Sequence, residues 1–170
     1  FHNPQWELLN HQYLKFFYTY GFQGVNFFWC ISGFIFYWKY SSIMKKINAK
    51  TKMIVLNSPN NPSGTVYTED ELRNIATVLE KYPDVFILSD EIYEHINYGV
   101  KSVSFASLPG MFDRTVTVNG ISKAYAMTGW RIGYLGAPKV IAKACNKMQG
   151  QITSGANCIA QRATIKALEE

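Results

Sequence analysis

A chain of 170 residues with 48% hydrophobic content is long enough for one domain with a buried core. Its net charge of +5 has no basic cluster behind it: the lysines from Lys39 to Lys52 are spread out and aromatics do not interleave with arginines, which excludes nucleic acid as a partner. The three cysteines, Cys30, Cys145 and Cys158, are odd in number and lack metal-ligand spacing, which points to free thiols in a reducing, cytoplasmic compartment.

Residues 1–43 hold 16 of the 26 aromatic residues and a single acidic one, Glu7. That composition is unusual for a globular segment. Three readings stay open. Residues 22–38 are at the short end for a membrane span and are interrupted by Gln23, Asn26, Ser32 and Gly33. The aromatics would alternatively pack in a core. The third reading is that the stretch is not native coding sequence, since Phe, Tyr, Asn, Lys and Ile are what AT-rich codons give out of frame. A signal peptide fits worse, without a basic start or a small-residue cleavage site. No function is assigned to this segment and no membrane partner is expected.

From residue 53 the pattern alternates. Strands are predicted over residues 53–57, 85–89, 115–119 and 132–136, and helices over 68–82, 138–149 and 154–168. Thr68-x-x-Glu71 reads as a capping box, Pro83 stops that helix, and Pro138 sits in the first turn of the next. Such alternation predicts an α/β fold with a mainly parallel sheet and helices on its faces.

Candidate functional residues fall at the ends of these strands. Asn57-Ser-Pro-Asn-Asn-Pro-Ser-Gly64 is a strand-to-helix loop, the place where open parallel sheets bind ligands. Its residues also suit an ordinary turn, but two prolines around Asn60 and Asn61 suggest a side-chain amide held in one orientation. The run Val85-Phe-Ile-Leu-Ser-Asp-Glu-Ile-Tyr93 brings Ser89, Asp90 and Glu91 out of an apolar strand, where a carboxylate either caps the next helix or touches a ligand. Lys123 lies in Asn119-Gly-Ile-Ser-Lys-Ala-Tyr-Ala-Met-Thr-Gly-Trp-Arg131. Alone it would be a solvated surface lysine. Small neighbours at Gly120, Ala124, Ala126 and Gly129 leave room for a flat ligand at the amine, and a partly desolvated amine near positive charge becomes a nucleophile toward carbonyls. Ser122 and Arg131 supply donors for a phosphate ester. Asn61, Asp90, Tyr93, Ser122, Lys123 and Arg131 are therefore expected to converge on one crevice.

Other conspicuous residues read as structural. His2, His11 and His95 include no pair with ligand spacing and are taken as satisfied or solvated, so no metal site is expected. Trp130 is expected to pack so as to fix Arg131, and Cys145 and Met148 to lie in the core on the apolar stripe of the 138–149 helix.

In order, the three segments are similar to the Asn-x-Pro-x-Asn-Pro-x-Gly, Ser-Asp-Glu-x-Tyr and Ser-Lys-x-x-x-x-x-Gly-x-Arg motifs of the fold-type I pyridoxal-phosphate enzymes, within them the class I aminotransferases of the aspartate aminotransferase type. The resemblance covers residues 45–170, so 44–170 would be the central part of the large, cofactor-binding domain. It implies that Lys123 forms a Schiff base with pyridoxal phosphate and then carries a proton to and from the substrate α-carbon. It implies that Asp90 pairs with the protonated ring nitrogen, that Asn61 and Tyr93 bond the ring 3-oxygen, and that Ser122 and Arg131 hold the phosphate, with Lys123, Asp90 and Tyr93 as the catalytic set. A cis Asn61–Pro62 bond, a homodimer and amino-acid and 2-oxo-acid substrates of aspartate, glutamate or aromatic type are further implications. The same lysine and aspartate would serve a carbon–sulfur lyase, or remain in a non-catalytic ligand-sensing domain. Gly120 stands where better-studied members carry a second phosphate-binding serine, as in the branch with Met-Thr-Gly-Trp-Arg. A phosphate loop, a ring-stacking aromatic and an arginine for the substrate carboxylate are not found. The chain is thus expected to be the middle of a longer protein and not to transaminate on its own.

Overall fold

The computed structural model describes residues 45–169. The 1–43 stretch, with its candidate span, Cys30, His2 and His11, lies outside the described residues. The unit that begins at Lys46 carries four strands in one sheet, in the order β1–β2–β3–β4. These are β1 Met53–Asn57, β2 Phe86–Asp90, β3 Thr115–Gly120 and β4 Gly133–Gly136. β1, β2 and β3 are parallel, and β4 returns antiparallel to β3. The sheet is mainly parallel, as the alternation predicts.

Helix α1, Glu69–Leu79, starts where the sequence says it should. Thr68 Oγ1 accepts the Glu71 amide at 3.3 Å while the Thr68 amide donates to Glu71 Oε2 at 2.8 Å. This reciprocal cap satisfies two amides of the first turn. Glu69, Asp70 and Glu71 also place negative charge at the positive end of the helix. Leu72, Ile75, Ala76 and Leu79 are buried, one face at the spacing a helix requires. The helix ends three residues before the predicted Tyr82, because the amides of Lys81 and Tyr82 bond the carbonyls of Val78 and Leu79 in a tighter, three-residue turn.

β2 is displaced by one residue from the predicted 85–89. The Val85 amide is taken by the Tyr82 carbonyl, whereas Asp90 pairs in register with Asn57 on one side and Val118 on the other. Asp90 is thus the last residue of a central strand and not the first residue beyond it. β3 runs one residue past its predicted end and β4 starts one residue late, at Gly133.

A one-turn helix, α2 Ile121–Ala124, follows β3 directly. α3, Lys139–Ile152, begins after Pro138, which is its N-cap rather than part of its first turn, and runs three residues past the predicted Gln149. α4, Cys158–Glu169, starts four residues later than predicted. Ser154 and Gly155 take positive φ angles of 62° and 133°, which no helix continues, and Asn157 Oδ1 accepts the amides of Ile159 and Ala160 as the cap. Phe105, Ile75, Leu79, Ile87, Met111 and Ile121 are the large, fully buried side chains, each worth roughly 1.5–3 kcal/mol of transfer free energy. A smaller cluster of Ile121, Ile132 and Ala160, with Met127 against it, joins α2, the approach to β4 and α4. Cys145 and Met148 are half-buried and α3 buries no residue, so the expectation that they lie in the core does not hold.

Candidate active site

Because β1, β2 and β3 are parallel, their carboxyl ends share one edge of the sheet, at Asn57, Asp90 and Gly120. The candidate residues hang from that edge.

The loop after β1 closes on itself: the Gly64 amide donates to the Asn60 carbonyl at 2.8 Å and the Asn60 amide to the Thr65 carbonyl at 3.0 Å. Gly64 sits at φ +72°, a conformation that side-chain-bearing residues rarely adopt. Asn61–Pro62 is cis, as the resemblance implies, and Ser58–Pro59 is cis as well. The exposed Asn61 is fixed at its amide: Nδ2 donates to the Tyr93 hydroxyl at 3.0 Å. Tyr93, in the turn after β2, carries the Lys123 ammonium 5.6 Å from its ring centroid, within cation–π range. Asn61, Tyr93 and Lys123 are therefore in line.

Asp90 is buried. Its Oδ1 accepts the Ile92 amide at 3.2 Å, and among the described residues it has no ion-pair partner. Burial pushes its carboxyl above the ordinary carboxylate range, against the opposing Ile92 bond. Glu91, its neighbour, points the other way. One oxygen, Oε1, accepts Ser89 Oγ at 2.8 Å, Ser104 Oγ at 3.0 Å and the Phe105 amide at 3.2 Å. Burial raises its carboxyl too, against those three bonds. The two carboxylates at the end of the strand thus differ in their surroundings: Glu91 Oε1 takes three donors, whereas Asp90 takes the Ile92 amide of the following turn.

Lys123 and the half-buried Ser122 lie on α2, held to the sheet by Gly120. A Cβ at Gly120 would stand 2.9 Å from the Ile132 carbonyl oxygen and 3.2 Å from Gly133 Cα. Main chain leaves no space there for a side chain, which accounts for glycine where a serine might stand. Asn119, also buried, accepts the Gly120 amide and donates Nδ2 to Glu94 Oε1. That bond ties the turn bearing Tyr93 to the strand leading to Lys123.

Arg131 is exposed, in a left-handed conformation (φ 57°, ψ 44°), with Nη1 donating to the Thr128 carbonyl at 3.0 Å. It lines an open cleft of about 730 Å³ with Trp130, Gln149, Thr153 and Asn157. Lys123, Asp90, Asn61 and Tyr93 do not line that cleft. Contacts thus link Asn61, Tyr93 and Lys123 in series, while Asp90 ends its strand between Asn57 and Val118. Ser122 immediately precedes Lys123 and Arg131 follows it by eight residues; Arg131 turns its guanidinium to the Thr128 carbonyl. Trp130 is 45% exposed and lines the same cleft as Arg131, and the Thr128 carbonyl accepts from the guanidinium. His95 is exposed and lies 3.3 Å from Glu94, a surface residue as expected. Asn57 and Asn119 were not among the expected residues. Each opens one of the quoted segments at the end of an apolar run, but nothing in the sequence shows which partner its amide takes.

The chain matches the family model for aminotransferase class I and II over residues 36–170. It is 54% identical over 124 residues to an aspartate aminotransferase of Pinus pinaster, covering 72% of this chain and 25% of that protein. It is 53% identical over 124 residues to a bifunctional aspartate aminotransferase and glutamate/aspartate-prephenate aminotransferase of Petunia hybrida, covering 72% of this chain and 26% of that protein. Among solved structures, the aspartate aminotransferase of Rhizobium meliloti superposes with a TM-score of 0.75 at 44% identity, over 78% of this chain and 34% of its own. The chain spans about a quarter of the length of the two curated relatives. With the three motifs in place on a fold-type I sheet and the family model covering most of its length, the chain belongs to the aminotransferase class I and II family.

Proposed function

We propose that this chain forms the cofactor-binding centre of a pyridoxal-phosphate-dependent aminotransferase that moves an amino group from an amino acid to a 2-oxo acid. The observation that carries the reading is the line Asn61–Tyr93–Lys123 beside a buried carboxylate, Asp90, that lacks a cation. The residues fit the cofactor. A buried carboxylate is costly unless paired, and a protonated ring nitrogen is the partner that would pair it. Pyridoxal phosphate, when bound, supplies an aldehyde for an amine and a ring that withdraws electrons from the substrate α-carbon.

The side chains would act as follows. Asp90 holds the charge that keeps the ring nitrogen protonated. The Tyr93 oxygen accepts the Asn61 N–H, so its own proton is free to be donated to a ring oxygen. Lys123, in its uncharged form, takes the proton at the substrate α-carbon and returns it at the neighbouring cofactor carbon. Arg131 spends one donor on the Thr128 carbonyl and keeps the rest of its fork for phosphate oxygens, with the Ser122 hydroxyl as a second donor. The names of the relatives support donors of the aspartate or glutamate type, and aromatic amino acids are the further candidates. A homodimer and a cytoplasmic location complete the proposal; Cys145 and Cys158 are free, which suits a reducing compartment.

The test follows aspartate-dependent conversion of a 2-oxo acid by the native protein that carries this sequence. Lys123→Ala should lower turnover by about a hundred- to ten-thousand-fold, the range for losing a general acid–base. Turnover unchanged in that variant contradicts the assignment, and 2-oxo acid released without any amino acceptor points to a lyase.

A further inference from the structure

One side chain connects the two residues that would grip opposite sides of the cofactor ring. Asn57, the last residue of β1, donates Nδ2–H to the Asp90 carbonyl at 3.3 Å and accepts the Asn61 amide at Oδ1, also at 3.3 Å. Asn57 and Asp90 are register partners, and the Ser58 amide gives the same carbonyl a second bond at 3.2 Å. The three contacts fix where β2 ends relative to the loop that carries Asn61. An amide suits this place because it offers a donor at one end for the carbonyl and an acceptor at the other for the N–H.

We propose that Asn57 is a positioning residue for the cofactor: it holds Asp90 and Asn61 at the separation at which one flat ring meets both, and does so without touching the reacting atoms. This inference rests on the pyridoxal-phosphate reading above. It predicts a chemical distinction. Asn57→Asp keeps the acceptor for the Asn61 amide but turns a carboxylate oxygen toward the Asp90 carbonyl, so attraction becomes repulsion. Asn57→Ala removes both contacts.

The experiment uses the native protein and both variants, with pyridoxal phosphate as the probe. Three quantities are read: the cofactor dissociation constant, the pH midpoint of the bound cofactor's absorbance, and the unfolding midpoint without cofactor. Both variants should bind about tenfold more weakly, the scale of one lost hydrogen bond. Both should move the pH midpoint by roughly half a unit or more, and Asn57→Asp should still unfold cooperatively near the parent temperature. Parent-like affinity and pH midpoint in both variants overturn the proposal. So does loss of folding in both, which makes Asn57 a residue of the fold. A parent protein that takes up no cofactor overturns the reading and this inference together, whereas a parent that binds beside unaffected variants overturns this inference alone.

Discussion

Burial raises the Asp90 carboxyl above its ordinary range and the Ile92 amide opposes the shift, so the cofactor-free fold favours the protonated acid. With the folded pKa above the unfolded one, the folded state holds the extra proton. The contribution of Asp90 to stability is then full below the ordinary carboxylate pKa and is lost as pH rises through the raised value. Asp90→Asn should therefore stabilise the cofactor-free protein at neutral pH, and the gain should vanish below about pH 3.9. Denaturant unfolding at several pH values checks this, and a variant less stable than the parent at neutral pH would contradict it. The same variant should lose cofactor affinity, because stability and binding make opposite demands on this carboxylate. Gly120 presents a steric case. A Cβ there meets the main chain of Ile132 and Gly133, which no rotamer change relieves, so Gly120→Ala should cost about 1–3 kcal/mol, measured by equilibrium unfolding. The sequence showed that a serine is missing at this position. It did not show why, since the reason is the close approach of β4 across the sheet.

Elements differ in how much of themselves the sequence revealed. α1 was legible because its start is written locally: Thr68 and Glu71 cap each other and the buried face repeats at helical spacing. Thr68→Ala should cost about 0.5–2 kcal/mol, read as a shift in the denaturation midpoint; no shift would mean that the cap is redundant. The β2 boundary was less legible, because ladder pairing with Asn57 and Val118 decides it and not the apolar run. The start of α4 depends on positive φ at Ser154 and Gly155, which a serine does not announce. The site residues follow the same division. Asn61, Asp90, Tyr93 and Lys123 are candidates that motif chemistry names from the sequence alone. Asn57 and Asn119 act through partners 33 and 25 residues away, and such pairs form only once the strands are side by side.

At the scale of the molecule, the described unit has a well-buried interior around Phe105, Ile87 and Leu79 and exposed apolar residues on α3 and α4. α3 buries nothing, and Val140, Ile152 and Ile159 are 81%, 66% and 68% exposed. Apolar surface of that kind associates. Residues 1–170 expressed alone should sediment as species larger than a monomer, increasingly so with concentration; a monodisperse monomer would contradict this. The central claim concerns Lys123, since the geometry places its amine over Tyr93, which Asn61 holds in turn. The most direct measurement is borohydride reduction of the native protein loaded with pyridoxal phosphate, followed by peptide mass mapping. The account predicts a phosphopyridoxyl group on the peptide that contains Lys123, and a label on another lysine, or on none, would contradict it.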